Sequence, residues 1–366
     1  MSAPLIAFRA DASTFIGTGH VMRCLAFASD LAARGMKCLF VCRAHQGHLG
    51  ASIAAAGHEV ALLPPRPVPM KQSEPYAQWL GADIETDIDD FLKALADRKP
   101  DFVIADHYAI DRRWESAVAQ ATRARIIAID GLANRAHACD LLIDPSFSSD
   151  GAERWRDLVE PGCDVRTGPH YAPLRREFRE TPRRTSRDGI IRRIFIAFGG
   201  VDEPNASGLA LEALLSLHRP DIAVDLVLGA GNPNRATLER LAEGQTNITL
   251  HVAPEGIAAL MAHADLAIGA GGTMLVEQCR MGLPALLLSI ADNQTPSIRA
   301  LAAQGGGVDL GIYAEEQRDA LRQKIANTLA ELLAHPEHLV ALGMQIARLM
   351  PPSAVSVADL IERGLR

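Results

Sequence analysis

The sequence predicts an α/β protein built from two doubly wound, Rossmann-type domains that face each other across a cleft. Three observations carry this expectation. Short apolar runs alternate with stretches of helical period, the order that places helices on both faces of a parallel sheet. The alternation occurs twice, before and after a charged, breaker-rich stretch at residues 175–193 that reads as a linker. At 366 residues, 48% of them hydrophobic, the chain is long enough for two sizeable cores. The domains read as residues 1–180 and 190–366, the second carrying a helical tail.

In the first half, strands are expected at 5–8, 37–42, 59–63, 102–105, 126–129 and 141–143. Helices are expected over 20–34, 49–56, 84–97 and 113–121. In the first helix Val21, Leu25, Ala28, Leu31 and Ala32 recur at helical spacing, and Gly35 stands where a C-terminal cap belongs. Pro64-Pro65-Arg66-Pro67-Val68-Pro69 stops regular structure. The polar loop that follows, to about residue 80, reads either as a lid or as disorder. In the second half, strands are expected at 194–198, 223–228, 248–251, 266–268 and 285–289. Helices fit 204–217, 235–242, 256–263, 274–281 and 295–303. From Ala314 the chain is helical, broken at His335-Pro336 and Pro351-Pro352.

Composition removes several classes of function. With 37 basic and 44 acidic residues the net charge is −7, so no attraction to nucleic acid or to an anionic membrane is expected. Aromatics are 5%, without the basic interleaving of a base-stacking surface. No apolar run reaches the length of a spanning helix, and the opening residues lack the pattern of a secretory signal, so a cytoplasmic protein without stable membrane insertion is expected. Cys24, Cys38, Cys42, Cys139, Cys163 and Cys279 are dispersed and form neither a disulfide nor a zinc framework. His45-x-x-His48 has no carboxylate nearby, and no metal site is expected there. Gly-Lys-Ser/Thr of a P-loop, the full dinucleotide fingerprint and a Gly-x-Ser-x-Gly elbow are all missing.

What chemistry remains gathers where strands end. After the first strand, Arg9-Ala10-Asp11-Ala12-Ser13 leads through Gly17-Thr18-Gly19-His20-Val21-Met22-Arg23 into a helix. His20 therefore stands in the first helical turn, at the sheet edge where open α/β proteins bind ligands. The free N–H groups there favour an anion and disfavour a protonated imidazole, so His20 reads either as a general base or as an ordinary cap-region residue. Asp106-His107-Tyr108 closes another strand; Asp106 reads either as part of a site or as the N-cap of the helix near Arg113. Phe198-Gly199-Gly200-Val201-Asp202 and Gly269-Ala270-Gly271-Gly272-Thr273 are glycine-rich strand-to-helix turns whose amides could approach a diphosphate. Glu277, in the first turn or so of the following helix, reads as dipole chemistry or as a ribose ligand. Asp292-Asn293-Gln294 ends a further strand, as a helix cap or as part of the same edge.

Together these segments, in this order, resemble the nucleotide-sugar hydrolase of pseudaminic acid biosynthesis. The resemblance implies a GT-B-like fold, related to the N-acetylglucosaminyltransferase of peptidoglycan synthesis. It implies hydrolysis of UDP-2,4-diacetamido-2,4,6-trideoxy-β-L-altropyranose to UDP and the free sugar, without metal or cofactor. The product of that family goes on to flagellin or surface glycans. Carried over by position, the resemblance makes His20 the catalytic base and Tyr108 the active-site tyrosine. It sets Arg175 and Glu277 against the nucleotide sugar, and Val276 replaces the aromatic residue usual before the glutamate. On this reading His20 activates water that attacks the anomeric carbon with inversion. Asp11 either orients the imidazole or caps the loop. Gly17, Gly19, Gly271, Gly272 and Thr273 hold the diphosphate, with Gly200, Asn293 and Gln294 as further substrate-binding positions; Glu277 holds the ribose and Tyr108 the acetamido sugar. Two alternatives stay open: a UDP-sugar-dependent glycosyltransferase of the same fold, and a non-catalytic UDP-sugar-binding protein. A hydrolase of a related nonulosonic pathway, acting with epimerisation, is a further one.

Overall fold

Leu5–Ala10 (β1), Lys37–Arg43 (β2), Glu59–Leu63 (β3), Phe102–Asp106 (β4), Arg125–Ile129 (β5), Leu141–Asp144 (β6) and Asp164–Thr167 (β7) form one sheet. They lie in the order β3-β2-β1-β4-β5-β6-β7, every pair parallel. The computed structural model describes residues 3–65, 76–184, 188–350 and 357–364. The expected loop after Pro64 falls largely at 66–75, outside the described residues.

Central strands of a parallel sheet are covered on both faces, which is why β1, β2 and β4 read as continuous apolar runs. Successive residues point to opposite faces. Ile6, Phe8, Phe40, Ile104 and Ile127 meet the helix Gly19–Ala33, while Ala7, Leu39, Val41, Val103 and Ile126 meet Phe91 and Trp114. Phe8 stacks on Phe40 with centroids 4.8 Å apart and takes the edge of Phe27 at 6.0 Å. Each fully buried side chain of this size stabilises the fold by about 1.5–3 kcal/mol.

The second unit repeats the plan. Arg193–Ala197 (β8), Ala223–Leu228 (β9), Ile248–Val252 (β10), Leu266–Gly269 (β11), Ala285–Ser289 (β12) and Val308–Ile312 (β13) run parallel in the order β10-β9-β8-β11-β12-β13. Two strands escape the sequence reading, β7 and β13, and both are edge strands. With one side unpaired and their residues mostly half-buried, they lack the apolar run of a central strand.

One boundary differs from expectation. The compact units are residues 1–146, 150–176 and 354–366, and residues 147–149 and 177–353. The tail expected within the second domain thus ends in the first. Val357, Ala358 and Ile361 of the last helix, Val357–Gly364, bury themselves in the core around Phe8 and Phe27. Arg34 Nη1 donates to Asp359 Oδ1 at 2.6 Å and to Glu362 Oε2 at 3.0 Å. The amphipathic face of that helix needs an apolar partner, and the helix Gly19–Ala33 supplies it. Among the described residues no helix is long and apolar enough to cross a membrane.

Both sheets reverse their winding direction at one place, between β1 and β4 and between β8 and β11. Crevices outside the carboxyl ends of strands at such a reversal are where α/β sheets take ligands.

Candidate active site

At the reversal in the first sheet, β1 leads to His20 and β4 ends on Asp106. His20 Nδ1 lies 2.6 Å from Asp106 Oδ1, across 86 residues of sequence. Arg23, one helical turn beyond His20, donates from Nε to Asp106 Oδ2 and from Nη2 to Oδ1, both at 2.5 Å. Burial alone would push the Asp106 carboxyl up; the Arg23 guanidinium and His20 reverse this and hold it far below the ordinary carboxylate range. An ionised carboxylate only accepts hydrogen bonds, so it fixes the proton of His20 on Nδ1 and leaves Nε2 with a lone pair. Nη2 of Arg23, 3.3 Å from His20 Nδ1, is a second donor sharing the acceptor Asp106.

Asp106 is therefore the orienting carboxylate. The expectation that Asp11 orients the imidazole does not hold, because Asp11 is engaged elsewhere. Its Oδ1 accepts from Arg9 Nη1 and from the Arg43 amide, each at 2.6 Å, and its Oδ2 faces His107 Nε2 at 3.3 Å. Nor does Asp106 cap the following helix. Asp111 does so, accepting from the Arg113 amide at 2.9 Å.

Beneath the site lies a buried lattice of charge. Asp87 receives Arg9 on both oxygens (3.0 and 2.7 Å), Arg43 Nη2 at 2.6 Å and Trp114 Nε1 at 3.0 Å. Arg43 also donates from Nε to the Leu80 carbonyl at 2.8 Å, and His45 Nε2 donates to the Trp79 carbonyl at 3.0 Å. These bonds tie the 3-10 turn Ala77–Leu80 to the sheet edge. Trp79 is thereby brought edge-on to His20, centroids 5.8 Å apart, while Tyr108 meets the imidazole at 4.6 Å. Tyr76 packs on both, at 4.8 Å from Trp79 and 5.4 Å from Tyr108. Trp114 and Trp155 are fully buried, whereas Trp79 is only partly so. Neither Trp79 nor Tyr76 carries a sequence signal, since both follow the breaker-rich loop.

Arg135 positions Tyr108, donating to the carbonyls of Ile110 at 2.6 Å and His107 at 3.2 Å with its guanidinium 6.0 Å over the tyrosine ring. It also pairs with Asp130, beyond β5, at 2.5 Å, as Arg154 pairs with Asp144 at the end of β6. The carboxylates along this edge are thus matched by guanidinium groups.

The glycine loop is built for geometry. Gly17 has φ +82°, a region that favours glycine, and its amide donates to the Ser13 carbonyl at 2.9 Å. Ser13 Oγ accepts from the amides of Phe15 and Ile16. Gly19 opens the helix, which has no side-chain cap at its start. Arg175 is half-buried just before the short helix Arg176–Glu180, at the division between the units. Among the described residues no cluster of His, Cys, Asp and Glu has the make-up of a metal site.

In the second unit, Gly199-Gly200, Gly269 to Thr273 and Asp292–Gln294 follow the adjacent strands β8, β11 and β12 on one edge. The two glycine turns differ. After Gly200 the first amides of the helix Ala206–Leu215 are already occupied, because Asp202 accepts from the Ala206 and Ser207 amides at 2.9 Å each. The helix Thr273–Arg280 starts at Gly272 with no side-chain cap, leaving the better anion site. A Cβ at Gly271 would stand 2.5 Å from Ile298 Cγ1, so close packing demands glycine there. Gln294 Oε1 accepts from the Ile290 amide, and Asn293 sits half-buried in the turn. Asp292 caps no helix: the next one starts after Gln294 without a side-chain cap. Glu277 lies one turn into its helix, not at its start, and is buried.

No family model matches the chain. It is 26% identical over 304 residues to the UDP-2,4-diacetamido-2,4,6-trideoxy-beta-L-altropyranose hydrolase of Campylobacter jejuni, a match covering 83% of this chain and 98% of that protein. The chain resembles a nucleotide-sugar hydrolase. Over 200 residues it is 31% identical to the Stutzerimonas stutzeri UDP-N-acetylglucosamine--N-acetylmuramyl-(pentapeptide) pyrophosphoryl-undecaprenol N-acetylglucosamine transferase, covering 51% of this chain and 53% of that one. The crystal structure of Acinetobacter baumannii MurG superposes with a TM-score of 0.63 at 18% identity, covering 99% of each chain. The fold is GT-B.

Proposed function

We propose that this chain hydrolyses a UDP-activated diacetamido-trideoxy hexose, UDP-2,4-diacetamido-2,4,6-trideoxy-β-L-altropyranose, to UDP and the free sugar. The observation that carries the reading is the His20–Asp106–Arg23 constellation, an imidazole with one nitrogen committed to a buried carboxylate and the other left as a base. Nε2 takes a proton from water as the water oxygen bonds to the anomeric carbon. The bond from that carbon to the diphosphate breaks with inversion, and its electron pair leaves on UDP. Such a leaving group is already stabilised, so the demands are a positioned water, one base and donors for the developing charge. In the second unit the uncapped helix start at Gly272, with Thr273, is assigned to the diphosphate, and Glu277 to the ribose. Asn293 and Gln294 complete that edge. Tyr108, Trp79 and Tyr76 offer an apolar wall suited to a deoxy sugar with acetamido methyl groups.

The identity to a transferase over half the chain supports a second reading, transfer to an acceptor instead of water. One experiment separates them: UDP release from the diacetamido-altrose nucleotide, with UDP-N-acetylglucosamine for comparison and His20→Asn as control. The hydrolase reading expects release from the first nucleotide without an acceptor. His20→Asn should lower it at least about 10³-fold, the upper range for a general base, with UDP affinity within twofold of wild type. Measurable UDP binding with no release from either nucleotide would favour the transferase.

A further inference from the structure

At the amino ends of the strands, on the edge of the first sheet remote from His20, two cysteines scattered in the sequence meet. Cys139 stands two residues before β6 and Cys163 one before β7, strands held together by Leu141↔Asp164 pairing and by the Asp164 amide donating to the Asp140 carbonyl at 2.9 Å. Their sulfurs are 3.6 Å apart. Residues on neighbouring strands stand at a spacing that disulfide geometry accepts, and closing the sulfurs to bonding distance needs a movement of about 1.5 Å. Both side chains line an open surface depression of about 340 Å³, bordered by Ser116 and Ala119 of the helix Arg112–Thr122, by Ile126, and by Glu160.

The two thiols are unequal. Cys139 is buried, while Cys163 is the most accessible of the six cysteines and follows a turn opened by Gly162 at φ +95°. The hydrogen bond from Cys139 draws the Cys163 thiol down, against the carboxylates of Asp164 and Asp140, and the same bond with burial pushes Cys139 up. Cys24, Cys38, Cys42 and Cys279 are sealed in the cores, where burial pushes thiols up, Cys38 and Cys279 to about 12.

We propose that Cys139 and Cys163 form a thiol–disulfide exchange site that takes a small organic disulfide from solution onto the open depression beside them. The Cys163 thiolate attacks one sulfur of that disulfide, expels the other as a thiolate and forms a mixed disulfide. Cys139, giving its proton to solvent, then attacks Cys163 Sγ and expels the second small thiolate. Two protein thiols are oxidised to one disulfide, and one small disulfide is reduced to two thiols. The bond closes residues 139–163 into a ring that contains β6, Asp144 and Trp155.

Incubation of the full chain with oxidised glutathione, alkylation of the remaining thiols and peptide mapping without reduction test the site. The wild-type protein should yield a Cys139–Cys163 linked peptide and a melting temperature raised by several degrees, both reversed by dithiothreitol. Cys139→Ser should stop at a glutathione adduct on Cys163, and Cys163→Ser should leave Cys139 unmodified. Wild-type protein that shows both thiols alkylated and no linked peptide, or a link to one of the other four cysteines, overturns the proposal. An adduct on Cys139 in Cys163→Ser at the wild-type rate does the same.

Discussion

Replacing Asp106 by Asn keeps the size of the side chain and removes the charge that orients His20. The carboxylate now accepts from His20 Nδ1 at 2.6 Å and from two Arg23 nitrogens at 2.5 Å. An amide has one acceptor atom and one donor atom, and Arg23, which can only donate, claims the acceptor. The amide N–H then faces His20 Nδ1, which must accept, so the imidazole proton moves to Nε2, where the lone pair is needed. The analogous replacement in a Ser-His-Asp triad lowers kcat about 10⁴-fold for this reason. For Asp106→Asn we expect a fall of about 10³- to 10⁴-fold, or about 4–5.5 kcal/mol of barrier at about 1.36 kcal/mol per decade. The same change leaves Arg23 nearly buried and without its counter-charge, a loss of about 3 kcal/mol, at the low end for a broken buried pair because one acceptor survives. The folded Asp106 carboxyl lies below its unfolded value, so its contribution is present above about pH 4 and is lost as pH falls toward the folded value. The assay is UDP release at saturating nucleotide sugar, paired with urea unfolding at pH 7 and pH 3. A folded Asp106→Asn protein with kcat within tenfold of wild type would refute the tautomer argument.

Trp79→Ala removes the ring that meets His20 edge-on; KM for the nucleotide sugar should rise about tenfold, about 1.4 kcal/mol, the upper range for an aromatic contact, while calorimetry finds UDP affinity unchanged. An equal loss of UDP affinity would remove Trp79 from the sugar pocket. Asp87→Ala strands Arg9 and Arg43 in the core and should lower unfolding stability by about 3–5 kcal/mol in urea; a loss below about 1 kcal/mol would show that water or rearrangement satisfies both guanidinium groups. Burial holds His107 below its ordinary value, so the unfolded chain takes up its proton first and stability falls as pH drops below about 6.5. His107→Gln should flatten the stability curve between pH 6.5 and 5 by up to about 1.4 kcal/mol per pH unit, and an unchanged slope would assign that loss to other histidines.

Local pattern determined much of this protein. The central strands are covered on both faces, so their apolar runs, such as Ala223–Leu228 and Ala285–Ser289, stand out in the sequence. The amphipathic period and Gly35 mark the helix Gly19–Ala33, and with it the position of His20 at a strand's carboxyl end. The glycine turns after β8 and β11 were equally legible, because each interrupts a strand-to-helix junction. The edge strands β7 and β13 were not, since a strand paired on one side needs no apolar run.

Which groups meet was a different matter. Asp11 is nine residues from His20 and Asp106 is 86 away, yet Asp106 makes the contact. The sheet decides this: β1 pairs with β2 on one side and, on the other, with β4, distant in sequence, which brings the two loop ends to one crevice. Trp79 reaches the imidazole because buried Arg43 and His45 hold the carbonyls of its turn. The last helix joins the first unit because its apolar face matches a surface formed more than 300 residues earlier. Hydrophobic period and turn chemistry act between neighbours along the chain, so the sequence by itself determined the elements and the edge on which the chemistry stands. Long-range pairing and packing act between segments that local pattern does not connect, and only the tertiary structure decided that Asp106 orients His20.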